Sequence, residues 1–139
     1  MSKASMAFLV SLLAGCGLMP LDQAPVDTYA TVAPQSAGQQ VAGIWTAQHS
    51  SAAISLRVDE DGRGVVCRGD GASPELVRLK YANNTFYLSD GRTIGLREAG
   101  GQLVASFSTE ADRPIHFSRD AGLVAANPYC RQRLQQAYL

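Results

Sequence analysis

Apolar and polar side chains alternate along the chain from Val41 onward, in short runs that are separated by turn residues. The alternating apolar positions are Ile54, Leu56, Val58, Val77, Leu79, Tyr81, Phe86, Leu88, Ile94, Leu96, Ile115 and Phe117. Every second side chain of a β-strand points to the same face, so this pattern predicts strands with one face on a core and the other in water.

Turn residues separate these runs at intervals of about 8 to 12 residues, which is typical of an all-β meander. The turn dipeptides are Asp61-Gly62, Asp70-Gly71, Asn83-Asn84, Asp90-Gly91 and Gly100-Gly101. Short turns join antiparallel neighbours, so we predict a mostly β domain with about eight strands in an antiparallel meander. Closure into a small barrel is favoured because it removes unpaired edges. A two-sheet sandwich is the alternative.

The end of the chain has a helical pattern instead. Asn127 is a suitable N-cap, and Pro128 suits the first helical position, where no backbone donor is needed. The apolar stripe consists of Cys130, Leu134, Ala137 and Tyr138. We predict one C-terminal amphipathic helix that packs on the sheet or covers one end of the barrel, within a domain that spans residues 41–139.

The beginning of the chain has the layout of an export signal, with Lys3 as a positive start and an uncharged apolar stretch after it. That stretch is too short for a membrane span, which takes about 20 residues. Leu13-Ala14-Gly15-Cys16 resembles the lipobox of bacterial lipoproteins. The resemblance implies removal of residues 1–15, a diacylglycerol thioether on Cys16 and an acyl chain on its new amino group. These chains would anchor the protein to a membrane.

Residues 16–40 have the composition of a tether. Pro20, Pro25 and Pro34 are scattered among small and polar residues, and no apolar period survives. We predict a flexible segment between the lipid anchor and the β domain. By the same lipoprotein resemblance, Gly17 after the lipidated cysteine implies that the protein is located at the outer membrane. It could face either the periplasm or the cell surface.

The charge balance argues against a nucleic-acid partner. The chain has 12 Lys plus Arg and 12 Asp plus Glu. Removal of the export signal takes away Lys3, which leaves the mature chain slightly negative. Nucleic-acid-binding domains carry a strongly basic face, so the composition and the export signal together exclude this class.

The three cysteines of the chain divide between two uses. Lipidation takes Cys16, and Cys67 and Cys130 remain in an oxidising compartment. We predict a disulfide between Cys67 on a strand and Cys130 on the apolar stripe of the helix, in preference to two buried free thiols.

No catalytic or metal-binding motif is found in the sequence, neither a Gly-x-Ser-x-Gly elbow nor a His-Glu-x-x-His helix. The two histidines are His49, in a polar segment typical of a loop, and His116, at an outward position between two apolar neighbours. We therefore predict a protein that is not an enzyme, with no catalytic residue, no metal and no cofactor apart from the lipid on Cys16.

Two features favour binding. Basic residues predicted to point outward could form a stripe for anionic headgroups, glycans or an acidic partner, with a solvated face that prevents aggregation as the alternative. The stripe consists of Arg57, Arg68, Arg78, Lys80, Arg92 and Arg97. In addition, Gly43-Ile44-Trp45 at the start of the first strand resembles the Gly-x-Trp that opens lipocalin barrels.

Two functions are compatible with these features. The first is a lipid-anchored module without catalytic activity that binds or inhibits an envelope protein, since size and layout are similar to those of barrel-fold lysozyme-inhibitor lipoproteins. The alternative is a lipocalin-like carrier of a small apolar ligand or lipid. The bulky inward side chains of Tyr81, Phe86, Phe107 and Phe117 are expected to fill a short barrel. A cavity in the structure would favour the carrier.

Overall fold

Eight antiparallel strands close into a barrel in the computed structural model, which describes residues 28–69, 73–107 and 113–136. The strands are β1 (Gly43–His49), β2 (Ala52–Val58), β3 (Arg63–Gly69), β4 (Glu75–Ala82), β5 (Thr85–Leu88), β6 (Thr93–Ala99), β7 (Gln102–Phe107) and β8 (Ile115–Arg119). The helices within the described residues are α1 (Thr28–Thr31), α2 (Gly38–Val41) and α3 (Pro128–Gln136). Each strand pairs with the next, and β8 returns to β1. The predicted meander barrel is confirmed, and the sandwich is wrong.

The alternating apolar residues form the barrel core. Leu56 of β2 lies opposite Trp45 of β1 and Val66 of β3, so all three share the inward face. The side chains of Trp45, Leu56, Phe86 and Phe117 are each at most 2% exposed. Burial of a side chain of this size contributes about 1.5–3 kcal/mol. The period-two pattern therefore sets both the register and the core.

The segment 28–41 lies against the barrel, although residues 16–40 were expected to form a flexible tether. The Lys80 Nζ donates hydrogen bonds to the carbonyl oxygens of Tyr29 and Val32 over 2.8 and 3.3 Å. The Gln35 N–H donates to the Tyr81 carbonyl over 2.8 Å. These bonds satisfy backbone groups of an irregular segment, which composition alone does not predict. Residues 1–27, with the expected signal, Cys16 and the rest of the tether, lie outside the described residues.

Helix α3 packs on the outer face of β3 and β2, so it covers a wall of the barrel and not an end. The predicted cap is present, because the Asn127 Oδ1 accepts a hydrogen bond from the Cys130 N–H over 2.7 Å. Cys130 and Leu134 are buried, and the rest of the predicted stripe lies outside the described residues. Within the described ranges, no helix is long and apolar enough to cross a membrane.

A disulfide joins α3 to the barrel wall. Cys67 and Cys130 are bonded with their Cα atoms 5.6 Å apart, and both residues are 0% exposed. They belong to a second apolar cluster, outside the barrel, which also contains Leu123, Ala126 and Leu134. Strand β3 is therefore buried on both faces, by the barrel core on one side and by α3 on the other.

Candidate ligand-binding cavity

The end of the barrel where β1 begins is closed. The Trp45 side chain fills it, and its Nε1 donates a hydrogen bond to the Val41 carbonyl in α2 over 2.9 Å. The guanidinium carbon of Arg119 lies 4.3 Å from the centroid of the Trp45 ring. A Cβ at Gly43 would lie 2.9 Å from the Arg119 Nη1, so glycine leaves room for this stacking. The first and last strands thus close this end together.

The opposite end contains an open cavity of about 120 Å³. Its apolar lining consists of Ile54, Val66, Val77, Leu88, Ile94, Phe107 and Ile115. Most of these side chains are aliphatic, whereas the closed end is filled by the Trp45 indole. An apolar cavity of about 150 Å³ binds benzene in another protein. This cavity is slightly smaller, so it is suited to an apolar group of up to about six carbons.

The expected filling of the barrel by aromatic side chains is wrong at the open end. Phe86 and Phe117 are buried in the core, but Phe107 stands in the wall of the cavity and is only partly buried. Tyr81 lies toward the closed end, where its hydroxyl is 3.1 Å from the Asn84 Oδ1. The open half is thus left with the shorter Val, Ile and Leu side chains.

Four polar residues that line the cavity, His49, Arg68, Glu75 and Arg92, form what we call the rim. Arg92 donates hydrogen bonds to the Glu75 Oε1 over 3.0 Å and to Asp90 over 2.7 Å. The pKa of Arg92 is raised, mainly by its hydrogen bond with Asp90. Burial by itself would raise the pKa of Asp90, but its hydrogen bonds and ion pair with Arg92 outweigh burial and lower it.

Arg68 faces the cavity, although the sequence pattern placed it on the outer face. In the register of the sheet it lies opposite Ile54 of β2 and Glu75 of β4, which also line the cavity. Residues directly opposite each other in an antiparallel pair share one face. Among the described residues, no hydrogen bond or ion pair to the Arg68 guanidinium is found.

Of the other members of the predicted basic stripe, Arg92 shares the rim with Arg68, and the remaining four lie elsewhere. Lys80 holds the segment 28–41. The Arg57 guanidinium donates to the Leu134 carbonyl over 3.1 Å and pairs with Asp59. Arg78 and Arg97 are exposed on β4 and β6, which are separated by β5. The six residues are therefore distributed over the rim, the wall and the helix contact.

The two histidines lie on different faces. His49 belongs to the rim, on the inward face of β1, whereas His116 is exposed on the outer face of β8. In the part of the chain that the structure describes, no group of three or more His, Cys, Asp or Glu side chains could hold a metal ion. The chemistry that this end offers is thus an apolar cavity with charged groups at its opening.

This combination defines a class of protein. An eight-stranded up-and-down barrel that is wide enough to hold one small ligand is the architecture of lipocalins. The closed end with Gly43 and Trp45 agrees with the Gly-x-Trp resemblance of the sequence. The chain is a lipocalin-like barrel protein.

Comparison with known proteins assigns the family. The family model described as "Bacterial lipocalin LPS transport optimiser YedD" matches residues 26–134, and the chain belongs to this family. Sequence patterns alone did not assign the β domain to a family. Membership agrees with the lipoprotein class expected from Leu13 to Cys16. A comparison with curated proteins found no match.

A solved structure supports the fold. The crystal structure of a lipoprotein YedD from Klebsiella pneumoniae matches with a TM-score of 0.60 and 19% sequence identity. The match covers 78% of this chain and 93% of that chain. At this identity the likeness concerns the fold, and the cavity and rim are properties of this chain's own residues.

Proposed function

We propose that this protein is a lipid-anchored lipocalin of the bacterial envelope, which binds the apolar part of a small amphiphile or lipid in its barrel. The apolar cavity of about 120 Å³ at the open end carries this proposal. A filled barrel would have favoured a module that only binds or inhibits a protein. The proposed activity is binding, with no reaction catalysed.

The proposed location follows from the sequence. Cys16 would carry the lipid anchor, and Gly17 would direct the lipoprotein to the outer membrane. Residues 17–27 would connect the anchor to the segment 28–41, which lies at the closed end of the barrel, opposite the cavity. Eleven extended residues span about 36 Å, so the cavity can reach a membrane surface, where amphiphiles are concentrated.

The family description suggests a role in lipopolysaccharide transport. Pockets that enclose drug-sized ligands have about 300–1,000 Å³, so a molecule with several acyl chains does not fit inside this barrel. We infer that the protein assists transport without enclosing lipopolysaccharide, by binding a single short chain or chain end. An envelope protein of the transport route is the partner we propose for it.

Photo-cross-linking in the native envelope tests this proposal. Phe107 stands in the cavity wall, and p-benzoylphenylalanine in its place keeps an aromatic ring there. Leu76 is 38% exposed and belongs to the outward positions of β4, so the same replacement there is the matched control. After illumination, mass spectrometry of the purified lipoprotein identifies the adduct at each position.

We expect an adduct with an acyl-bearing molecule at position 107 and none at position 76. An adduct at neither position, or equally at both, would contradict binding in the cavity. An adduct of position 107 with a protein alone would contradict the carrier function and would favour a module that binds an envelope protein. The mass of a lipid adduct also separates lipopolysaccharide from smaller amphiphiles.

A further inference from the structure

The two arginines of the rim are in different electrostatic situations. Arg92 is held between two carboxylates, with its Nη2 3.0 Å from Glu75 and 2.6 Å from Asp90. Arg68 lies on the neighbouring strand, directly opposite Glu75 in the register, but no hydrogen bond or ion pair of its guanidinium is found among the described residues. A cation beside an apolar cavity and without a carboxylate partner is available to an anionic ligand group.

The backbone of Arg68 is fixed from the outer side of the barrel. Cys67 before it is bonded to Cys130, and the Gly69 carbonyl after it accepts a hydrogen bond from the Asn127 Nδ2 over 3.0 Å. A Cβ at Gly69 would lie 2.0 Å from the same Nδ2, so α3 packs directly on this backbone. Successive side chains of a strand point to opposite faces. Because positions 67 and 69 are held against α3, the side chain of Arg68 between them points to the cavity.

Position and charge together indicate a ligand class. On the basis of the function proposed above, we propose that the ligand carries a carboxylate or phosphate on an apolar stem, of which the cavity holds about six carbons. The stem occupies the cavity, and the Arg68 guanidinium binds the anionic oxygens, for which its planar donor pattern is suited. Arg92 does not replace Arg68, since its positive charge is already paired with the carboxylates of Glu75 and Asp90.

The size of the cavity limits the length of the stem. The neighbouring cavity residue of β3 is Val66, two strand residues or about 7 Å below Arg68. The inner end of the cavity is filled by Leu56, directly opposite Val66, and by Phe86, directly opposite Ile94, and both side chains are at most 1% exposed. A long chain with its headgroup at Arg68 therefore has no space for its end, which favours medium-length amphiphiles.

Calorimetric titration of the mature chain without its lipid tests this inference. Residues 17–139, produced without the export signal and Cys16, keep every described residue and can be titrated without a membrane. The probes are octanoate, octyl phosphate and octanol, which have the same stem and differ in the headgroup. Arg68→Gln is the test variant, and Arg78→Gln, on the outer face of neighbouring strand β4, is the matched control.

We expect at least one of the two anions to bind about tenfold more tightly than octanol, as for a hydrogen bond to a charged group. Arg68→Gln should abolish this preference and leave octanol binding unchanged, whereas Arg78→Gln should preserve it. The anion that binds more tightly identifies the headgroup as a carboxylate or a phosphate. Because the Arg68 side chain is exposed, the variant should fold, and its urea midpoint checks this.

Two other results would overturn the inference. Equal affinities for the three probes, or an anion preference that survives Arg68→Gln, would exclude Arg68 as the anion site while leaving the cavity as a site for apolar groups. Binding of none of the three probes would instead contradict the proposed function itself. The two failures are thus distinguishable.

Discussion

The guanidinium carbon of Arg119, on the last strand, lies 4.3 Å from the centroid of the Trp45 ring on the first strand. The same guanidinium donates a hydrogen bond to the Ala42 carbonyl over 3.1 Å. The β1–β8 ladder has two register pairs, whereas the β1–β2 ladder has seven. The contact between Arg119 and Trp45 therefore stabilises the junction at which the barrel closes.

Arg119→Ala should lower the free energy of unfolding by about 2 kcal/mol, because it removes a cation–π contact and hydrogen bonds to backbone carbonyls. Urea denaturation measures this change. The control is Arg97→Ala on the outer face of β6, which should change stability by less than about 0.5 kcal/mol. Equal effects of the two substitutions would contradict the assigned role of Arg119.

Asn127→Ala should lower the free energy of unfolding by about 1–2 kcal/mol, since Asn127 caps α3 and also donates a hydrogen bond to the Gly69 carbonyl. Hydrogen exchange should accelerate first at Cys130 and the amides around it. Gln132→Ala, at an exposed position of the same helix, is the control and should have little effect. Unchanged exchange in α3 of the Asn127 variant would exclude the capping role.

Cys67→Ser should destabilise the packing of α3 on the barrel before it affects the barrel itself. The bond joins residues 63 apart in sequence, and on the chain-entropy model a closed loop of this length contributes about 4 kcal/mol. Limited proteolysis should cleave the C-terminal segment of the variant while the strands persist. Protease resistance equal to that of the wild type would contradict this prediction.

The stability of the barrel should decrease in acid partly through Asp90. Its pKa in the folded protein lies below the ordinary value of 3.8. The stability that Asp90 contributes is therefore fully present above that value and is lost as the pH falls through its folded-state pKa. Urea denaturation should show Asp90→Asn as less stable than wild type at pH 7, with a smaller difference near about pH 3. A pH-independent difference would contradict this origin.

The sequence predicts the strands well because the interior of the barrel imposes period two on them. The pattern fails at Arg68 because β3 is apolar on both faces: Val66 lines the cavity, and Cys67 packs under α3. In a strand with two buried faces, the apolar pattern does not show which residues point to which face. The cavity was also not predictable, since it depends on how far side chains extend from walls that are distant in sequence.

The docking of residues 28–41 was missed for a related reason. This segment contributes few apolar side chains to the core, with Ala37 and Val41 as its buried members. It is held mainly by Lys80 and by backbone hydrogen bonds to turns of the barrel. Such contacts carry no periodic signal in the sequence.

The central claim is that the cavity is the ligand site, and filling it tests this claim most directly. In the chain of residues 17–139, Val66→Trp places an indole in the cavity, and Leu76→Trp places one on the outside of the neighbouring strand. Octanol binding is then measured by calorimetry in both variants, with urea denaturation to verify folding. We predict that Val66→Trp abolishes binding and that Leu76→Trp retains it. Wild-type affinity in a folded Val66→Trp variant would contradict the account.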